Sequence, residues 1–372
     1  MRKRMADWSN LPADLLLLIA KRLHFAEDYA KISAVCKSWR AIILQKDNQS
    51  CSLLPWLMLT ENESRDIRGF YSPFNKKVCE LYLPEIRGKR CWGSSHGWLI
   101  TLNTAYEMHL LNPMSRVQIL LPPLHICSNL KNLICNPTEF RNTFVYKVVL
   151  SSDPLSGNCV ALAVYSDNKM AFAKLGDDAW TPLQCCPSVI NDVICFGGKF
   201  YATDSSGDVI SCDMNGIHLK TLPLTSSFEA YELDEITTYI VEIGGKIHVV
   251  LRFMYEDRYG DGPFLRTWNF KIYGLDVCTE KWEEVGSLGN WSIFVGSNDS
   301  FSVSCYDYPE CRSNCVYFSD DYSERYYDNS TTFNSFDMGI CSLDNHKIQP
   351  LFENDSSSSV YSVPVWMKPI LW

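Results

Sequence analysis

Trp8-Ser9-Asn10-Leu11-Pro12-Ala13-Asp14-Leu15-Leu16-Leu17-Leu18-Ile19-Ala20-Lys21-Arg22-Leu23, followed by Val35-Cys36-Lys37-Ser38-Trp39-Arg40, is the stretch on which the reading of this chain turns. Pro12 suits a first helical turn, because it has no N–H to leave unbonded. Asp14 follows where a carboxylate complements the helix dipole. Leu15, Leu18, Ile19 and Leu23 recur at helical spacing, and Leu16 widens that apolar face. Lys21 and Arg22 supply a basic last turn. A second helix is expected to start near Asp28, a good N-cap residue, with Ile32, Val35, Cys36, Trp39, Ile42 and Ile43 at its apolar positions. This helical segment is too short to bury a stable core by itself. Its apolar faces must pack either on the rest of the chain or on a partner, and periodicity leaves both open.

After the polar break Lys46-Asp47-Asn48-Gln49-Ser50 the apolar period changes from helical to alternating. Leu53–Thr60, Arg68–Tyr71 and Val78–Leu83 read as strands, and the theme recurs in units ending near Leu121, Leu183, Leu222, Val285 and Leu351. Gly197-Gly198 and Gly244-Gly245 mark tight hairpin turns. The spacing, roughly 40–60 residues, is that of propeller blades. One blade cannot bury both its faces, whereas blades stacked in a ring can. The first unit has only three strands, and the tail Val360–Trp366 has strand character, so the tail is expected to complete that unit and close a six-bladed ring. A β-sandwich or two β domains is the alternative. The fold class expected is mainly β, with a small α module ahead of a β-propeller.

The helical blocks, Leu-Pro-x-Asp-Leu-Leu, Ile-Ala-x-Arg-Leu and Val-Cys-Lys-Ser-Trp-Arg, resemble an F-box in this order. The Asp28-Tyr29-Ala30-Lys31-Ile32 stretch departs from it, since F-boxes often carry more leucines there. The resemblance implies that Leu11, Pro12, Leu15, Leu16, Ile19, Val35, Cys36 and Trp39 contact a Skp-family adaptor, with Leu23 and Ile32 in the module's own small core. The remainder resembles the KIB-type, Kelch-like propeller that follows the F-box in a large plant family. Cys91-x-Gly-Ser-Ser-His-Gly-Trp-Leu99, Leu110-Leu-Asn-Pro113 and Pro364-Val-Trp-Met-Lys-Pro369 carry that likeness. The implied organisation is an F-box at 5–46, a linker at 47–52 and a propeller at 53–372.

Composition agrees with a globular chain: 372 residues, 46% hydrophobic, 21% charged. Residues 1–46 carry nine Lys or Arg against four Asp or Glu, while the whole chain stands at −9, so the remainder is strongly acidic. An acidic β domain is a poor binder of nucleic-acid backbone. No stretch approaches the ~18 apolar residues of a membrane span, and no secretory signal is apparent. The sixteen cysteines, scattered through apolar strands, read as reduced core residues of a cytoplasmic or nuclear protein.

Catalytic and cofactor signals are absent. Cys305, Cys311 and Cys315 lack the spacing of a structural zinc site. No phosphate-cradling glycine motif occurs. Ser94-Ser95-His96 reads as a structural turn, since neighbours in a turn rarely face one another. No metal, cofactor or enzymatic activity is therefore expected. Two insertions, Met254–Gly262 and Asp320–Asp328, mix acidic groups with Tyr and Arg. Tyr255, Asp257, Tyr259, Asp321, Tyr322 and Tyr326 are the candidate substrate-binding residues, because scaffold loops rich in Tyr favour protein interfaces. The resemblance implies a substrate-recognition subunit of an SCF-type ubiquitin ligase, joined through the adaptor to cullin and RING subunits and holding a protein substrate of unknown identity. An adaptor-binding protein without a degradation role, or a propeller enzyme, are the alternatives.

Overall fold

The computed structural model describes residues 8–20, 22–23, 28, 31–32, 35–43, 53–61, 66–123, 136–166, 169–183, 189–213, 216–224, 235–257, 264–276, 279, 281–321, 337–351 and 363–369. Two short helices, α1 (Ala13–Ala20) and α2 (Lys37–Ile43), precede six sheets arranged as the blades of a propeller. Blade 1 contains β1 (Trp56–Met58), β2 (Ile67–Ser72) and β3 (Lys77–Tyr82). Blade 2 contains β4 (Arg90–Gly93), β5 (Leu99–Leu102), β6 (Met108–Leu111) and β7 (Gln118–Leu120). Blade 3 contains β8 (Val145–Leu150), β9 (Val160–Tyr165), β10 (Lys169–Lys174) and β11 (Thr181–Pro182). Blade 4 contains β12 (Ile190–Phe196), β13 (Lys199–Asp204), β14 (Val209–Asp213) and β15 (Gly216–Leu222). Blade 5 contains β16 (Glu235–Ile243), β17 (Lys246–Asp257), β18 (Phe264–Asp276) and β19 (Lys281–Glu284). Blade 6 contains β20 (Trp291–Val295), β21 (Phe301–Ser304), β22 (Cys315–Phe318), β23 (Gly339–Ser342) and β24 (Lys347–Pro350).

The chain's last strand, β25 (Val365–Met367), completes blade 1. It pairs antiparallel with β1, placing Trp56 opposite Met367, Leu57 opposite Trp366 and Met58 opposite Val365. The expected closure of a six-bladed ring is thus observed. Side-chain alternation makes it hold. Val365 and Met367 enter the core shared by blades 1 and 2, while Trp366 enters the core shared by blades 6 and 1. In the latter, Trp366 meets Phe294 edge-on at 5.2 Å. Each of the six apolar clusters lies between two neighbouring blades, burying the inner strands on both faces while outer strands such as β3 and β19 stay largely exposed.

Three details differ from the sequence reading. The sixth unit has five strands rather than the four of the other units, beginning at Trp291, and β20 pairs parallel with β22 while β21 takes the edge of the sheet beside β20. The Met254–Gly262 insertion is no simple loop. The β17/β18 ladder runs on to the Asp257–Phe264 pair, past a bulge where Trp268 is the extra residue. The long second helix from Asp28 is broken at Val35 and Cys36, and α2 begins only at Lys37.

Candidate functional site

The Pro12 carbonyl accepts the Leu15 and Leu16 amides, both at 3.1 Å, and so opens α1. At 100° per residue, Leu16 and Ala20 share one side of the helix and Leu15, Leu18 and Ile19 another. Leu16 and Ala20 are buried and join Ile32, Ile43, Leu53, Trp56 and Phe70 in the core of blades 1 and 2. Leu15, Leu18 and Ile19 stay 49%, 59% and 44% exposed. One side of α1 is thus packed on the chain's own core, and the other is left exposed.

Cys36 starts α2. Its carbonyl accepts the Arg40 amide at 3.0 Å and its sulfur lies 3.4 Å from the Trp39 amide, in the place of an N-cap oxygen. Trp39 is half-buried, and its indole N–H donates to the Trp8 carbonyl at 2.9 Å, tying the short 3-10 turn Trp8–Asn10 to α2. Ser38 Oγ adds a bond to the Ser9 carbonyl. Of the eight predicted contact residues, Pro12, Leu15, Ile19 and Val35 are exposed, and Leu11, Cys36 and Trp39 are half-buried. Leu16 is the correction: it is fully buried against the chain's own core and has no surface for a partner. Leu18 and Trp8, the latter 66% exposed, are absent from the predicted set. The period had already placed Leu18 beside Leu15 and Ile19.

The second predicted region is organised by a buried cation. Arg252, on β17, donates from Nε to Thr267 Oγ1 at 2.7 Å and from its terminal nitrogens to Tyr239, Asp321, Asp337 and the Ser319 and Asp337 carbonyls. Its guanidinium also stacks 4.8 Å from the Phe318 ring. Asp321, predicted to face a substrate, instead accepts from Tyr239 Oη at 2.6 Å and from Arg252. Its carboxylate is committed inside the protein, which corrects that assignment. Asp321 and Asp337 flank residues 322–336, and Arg252 lies at the base of the extended β17/β18 hairpin. The stems of the two insertions are therefore brought together. Tyr255 is exposed on that hairpin. The Asp257 backbone ends β17, while Tyr259, Tyr322 and Tyr326 lie outside the described residues.

A third feature has no predicted counterpart. Residues from all six blades line a cavity of about 480 Å³, among them Ser95, Ser151, Cys195, Glu242, Ser302 and Lys368. Ser95 Oγ donates to Asp299 Oδ2 at 2.6 Å. Ser94 Oγ accepts from the His96 and Trp98 amides, so Ser94-Ser95-His96 is the structural turn expected, with Ser95 turned to Asp299. Beside it, buried Asp192 is paired with Lys147 and accepts from Ser300 Oγ at 2.6 Å and the Ile240 amide at 3.1 Å, linking four blades. Among the described residues, no group of three or more His, Cys, Asp or Glu could hold a metal ion, and no helix is long and apolar enough to cross a membrane.

Comparison with known proteins agrees with this architecture. The sequence model of the KIB1-4 beta-propeller family matches residues 70–342, and that of the F-box-like family matches residues 8–47. The Arabidopsis thaliana F-box protein SKIP23 is 26% identical over 90% of this chain and 87% of its own length. The putative F-box protein At1g65770 of Arabidopsis thaliana is 27% identical, covering 85% of this chain and 90% of its own. The crystal structure of the Myceliophteria thermophila Cps50 (Swd1) beta-propeller domain superposes with a TM-score of 0.34 at 10% identity, covering 81% of this chain and 87% of that one. The chain belongs to the KIB1-4 beta-propeller family and carries an F-box-like module ahead of its propeller.

Proposed function

We propose that this protein is the substrate-recognition subunit of an SCF-type ubiquitin ligase, acting in the cytoplasm or nucleus. The helices of residues 5–46 dock on a Skp-family adaptor, and through it on cullin and RING subunits. The propeller, residues 53–372, holds a protein substrate. The chain itself is non-catalytic; it accelerates ubiquitin transfer by proximity. The observation that carries this reading is the exposed apolar row Leu15, Leu18 and Ile19 on a helix whose other side is already buried. Apolar side chains left in water on a defined helical face are the usual signature of a partner surface. Pro12 and Val35, also exposed, extend the set, and Trp39 holds the N-terminal turn in place.

The test is co-purification of the full chain with a plant Skp-family adaptor. Leu15→Ala with Ile19→Ala should remove the adaptor while the thermal midpoint of the chain stays unchanged. Retention of the adaptor at wild-type level would refute the assignment. The candidate substrate surface is the β17/β18 hairpin with Tyr255, near whose base Arg252 holds Asp321 and Asp337.

A further inference from the structure

The axial cavity is lined by charges of both signs, between which no ion pair forms among the described residues. Lys368 follows the closing strand β25 and is half-buried in the cavity wall. Among the described residues its ammonium makes no ion pair and no hydrogen bond; the Tyr308 ring is 5.9 Å away. Asp299 is 4% exposed, and Oδ2 takes both of its bonds from Ser95. Oδ1 accepts no hydrogen bond from a described residue. Glu242 lines the same cavity, its Oε1 accepting from the Gly245 amide. Leu150, Ile194 and Phe301 give it an apolar wall.

A charged group withdrawn from water without a partner is costly. Burial pushes the Lys368 ammonium down from its ordinary value, against the pull of Asp307 and Glu242. Burial likewise pushes the Asp299 carboxyl up, opposed by its bonds from Ser95 and by the charges of His96 and Lys147. An anion in the cavity would satisfy Lys368 and be repelled by the two carboxylates. A cation would do the reverse. A molecule carrying both charges satisfies all three. The volume lies within the range of small-molecule sites.

We infer that the axial cavity binds a small zwitterion with an apolar body, of the α-amino-acid class, its carboxylate on Lys368, its ammonium on Asp299 and Glu242, and its side chain against Leu150, Ile194 and Phe301. No residue of the helical module lines the cavity, so this site stands or falls independently of adaptor binding.

The experiment is calorimetric titration of the purified full chain with the proteinogenic L-amino acids, and then with the N-acetyl and amide derivatives of the tightest. The free amino acid should bind saturably, and blocking either charge should weaken it at least about tenfold, or 1.4 kcal/mol. Lys368→Met should abolish binding and Lys368→Arg restore part of it. The blocked analogues test the wild-type chain directly, so a misfolded variant does not remove the test. Absence of binding across the whole panel overturns the inference. So does equal binding of the N-acetyl form, which would mark a site for a lone carboxylate, or of the amide, which would mark one for a lone ammonium.

Discussion

Arg252 donates to the Asp337 carboxylate at 2.9 Å, and its other terminal nitrogen reaches Asp321 at 3.3 Å, so one buried guanidinium joins both stems of the segment between them. A guanidinium suits this because it has five donors in a fixed plane. Arg252→Met would leave Asp321, Asp337 and the Tyr239 hydroxyl without their shared donor. Removing one partner of a buried charge network costs about 3–5 kcal/mol. Urea denaturation should show that loss, and Arg252→Lys should recover only a fraction of it. A midpoint unmoved by Arg252→Met would mean the network is not a structural joint.

The two sides of α1 should separate stability from binding. Leu16→Ala empties a fully buried site and should cost about 2–5 kcal/mol. Leu18→Ala truncates an exposed residue and should stay within about 0.5 kcal/mol. Adaptor retention should follow the opposite order at equal folded concentration: weakened by Leu18→Ala, and intact for whatever fraction of Leu16→Ala remains folded.

Ring closure has a point of no clearance. A Cβ built on Gly93 would lie 1.9 Å from the carbonyl oxygen of Trp366, on the closing strand. That oxygen is backbone and cannot swing aside. Gly93→Ala should therefore cost the upper part of the ~1–3 kcal/mol typical of overpacking, or more. Gly286→Ala, with open space around its Cβ, is the control and should be neutral. Equal thermal midpoints for both would contradict the close approach of β4 to β25.

Acid should weaken the propeller partly through histidine. His248 is buried, and its Nδ1 lies 3.1 Å from the Lys246 carbonyl. Burial pushes its pKa below the ordinary histidine value, the Lys246 carbonyl opposing this and the Lys246 ammonium adding to it. Burial lowers His109 in the same way. A folded-state pKa below the unfolded one means that stability is complete above about pH 6.5 and declines as the pH falls through the folded value. Each histidine contributes a slope of at most about 1.4 kcal/mol per pH unit. His248→Gln should flatten the curve of unfolding free energy between neutral and mildly acid pH. A slope identical to wild type there would assign the acid sensitivity to other groups.

The helical period of residues 8–43, the alternating runs after Leu53, the glycine turns and the strand-like tail pointed to a small helical module and a six-bladed ring closed by the tail, and the order of the helical motif blocks resembled an F-box. These features are local, or repeat at a regular interval, so one dimension records them. Four matters were settled only in three dimensions. Whether Leu16 or Leu15 faced inward depended on where the blade 1 and 2 core lay relative to α1. The β20–β22 pairing joins strands separated by β21, and no turn signal announces a parallel neighbour. Arg252 on β17 is an unremarkable strand residue until Asp321 and Asp337 arrive from another blade. The axial cavity takes its walls from all six blades at once, and a site assembled from such distant positions exists only after the ring has closed.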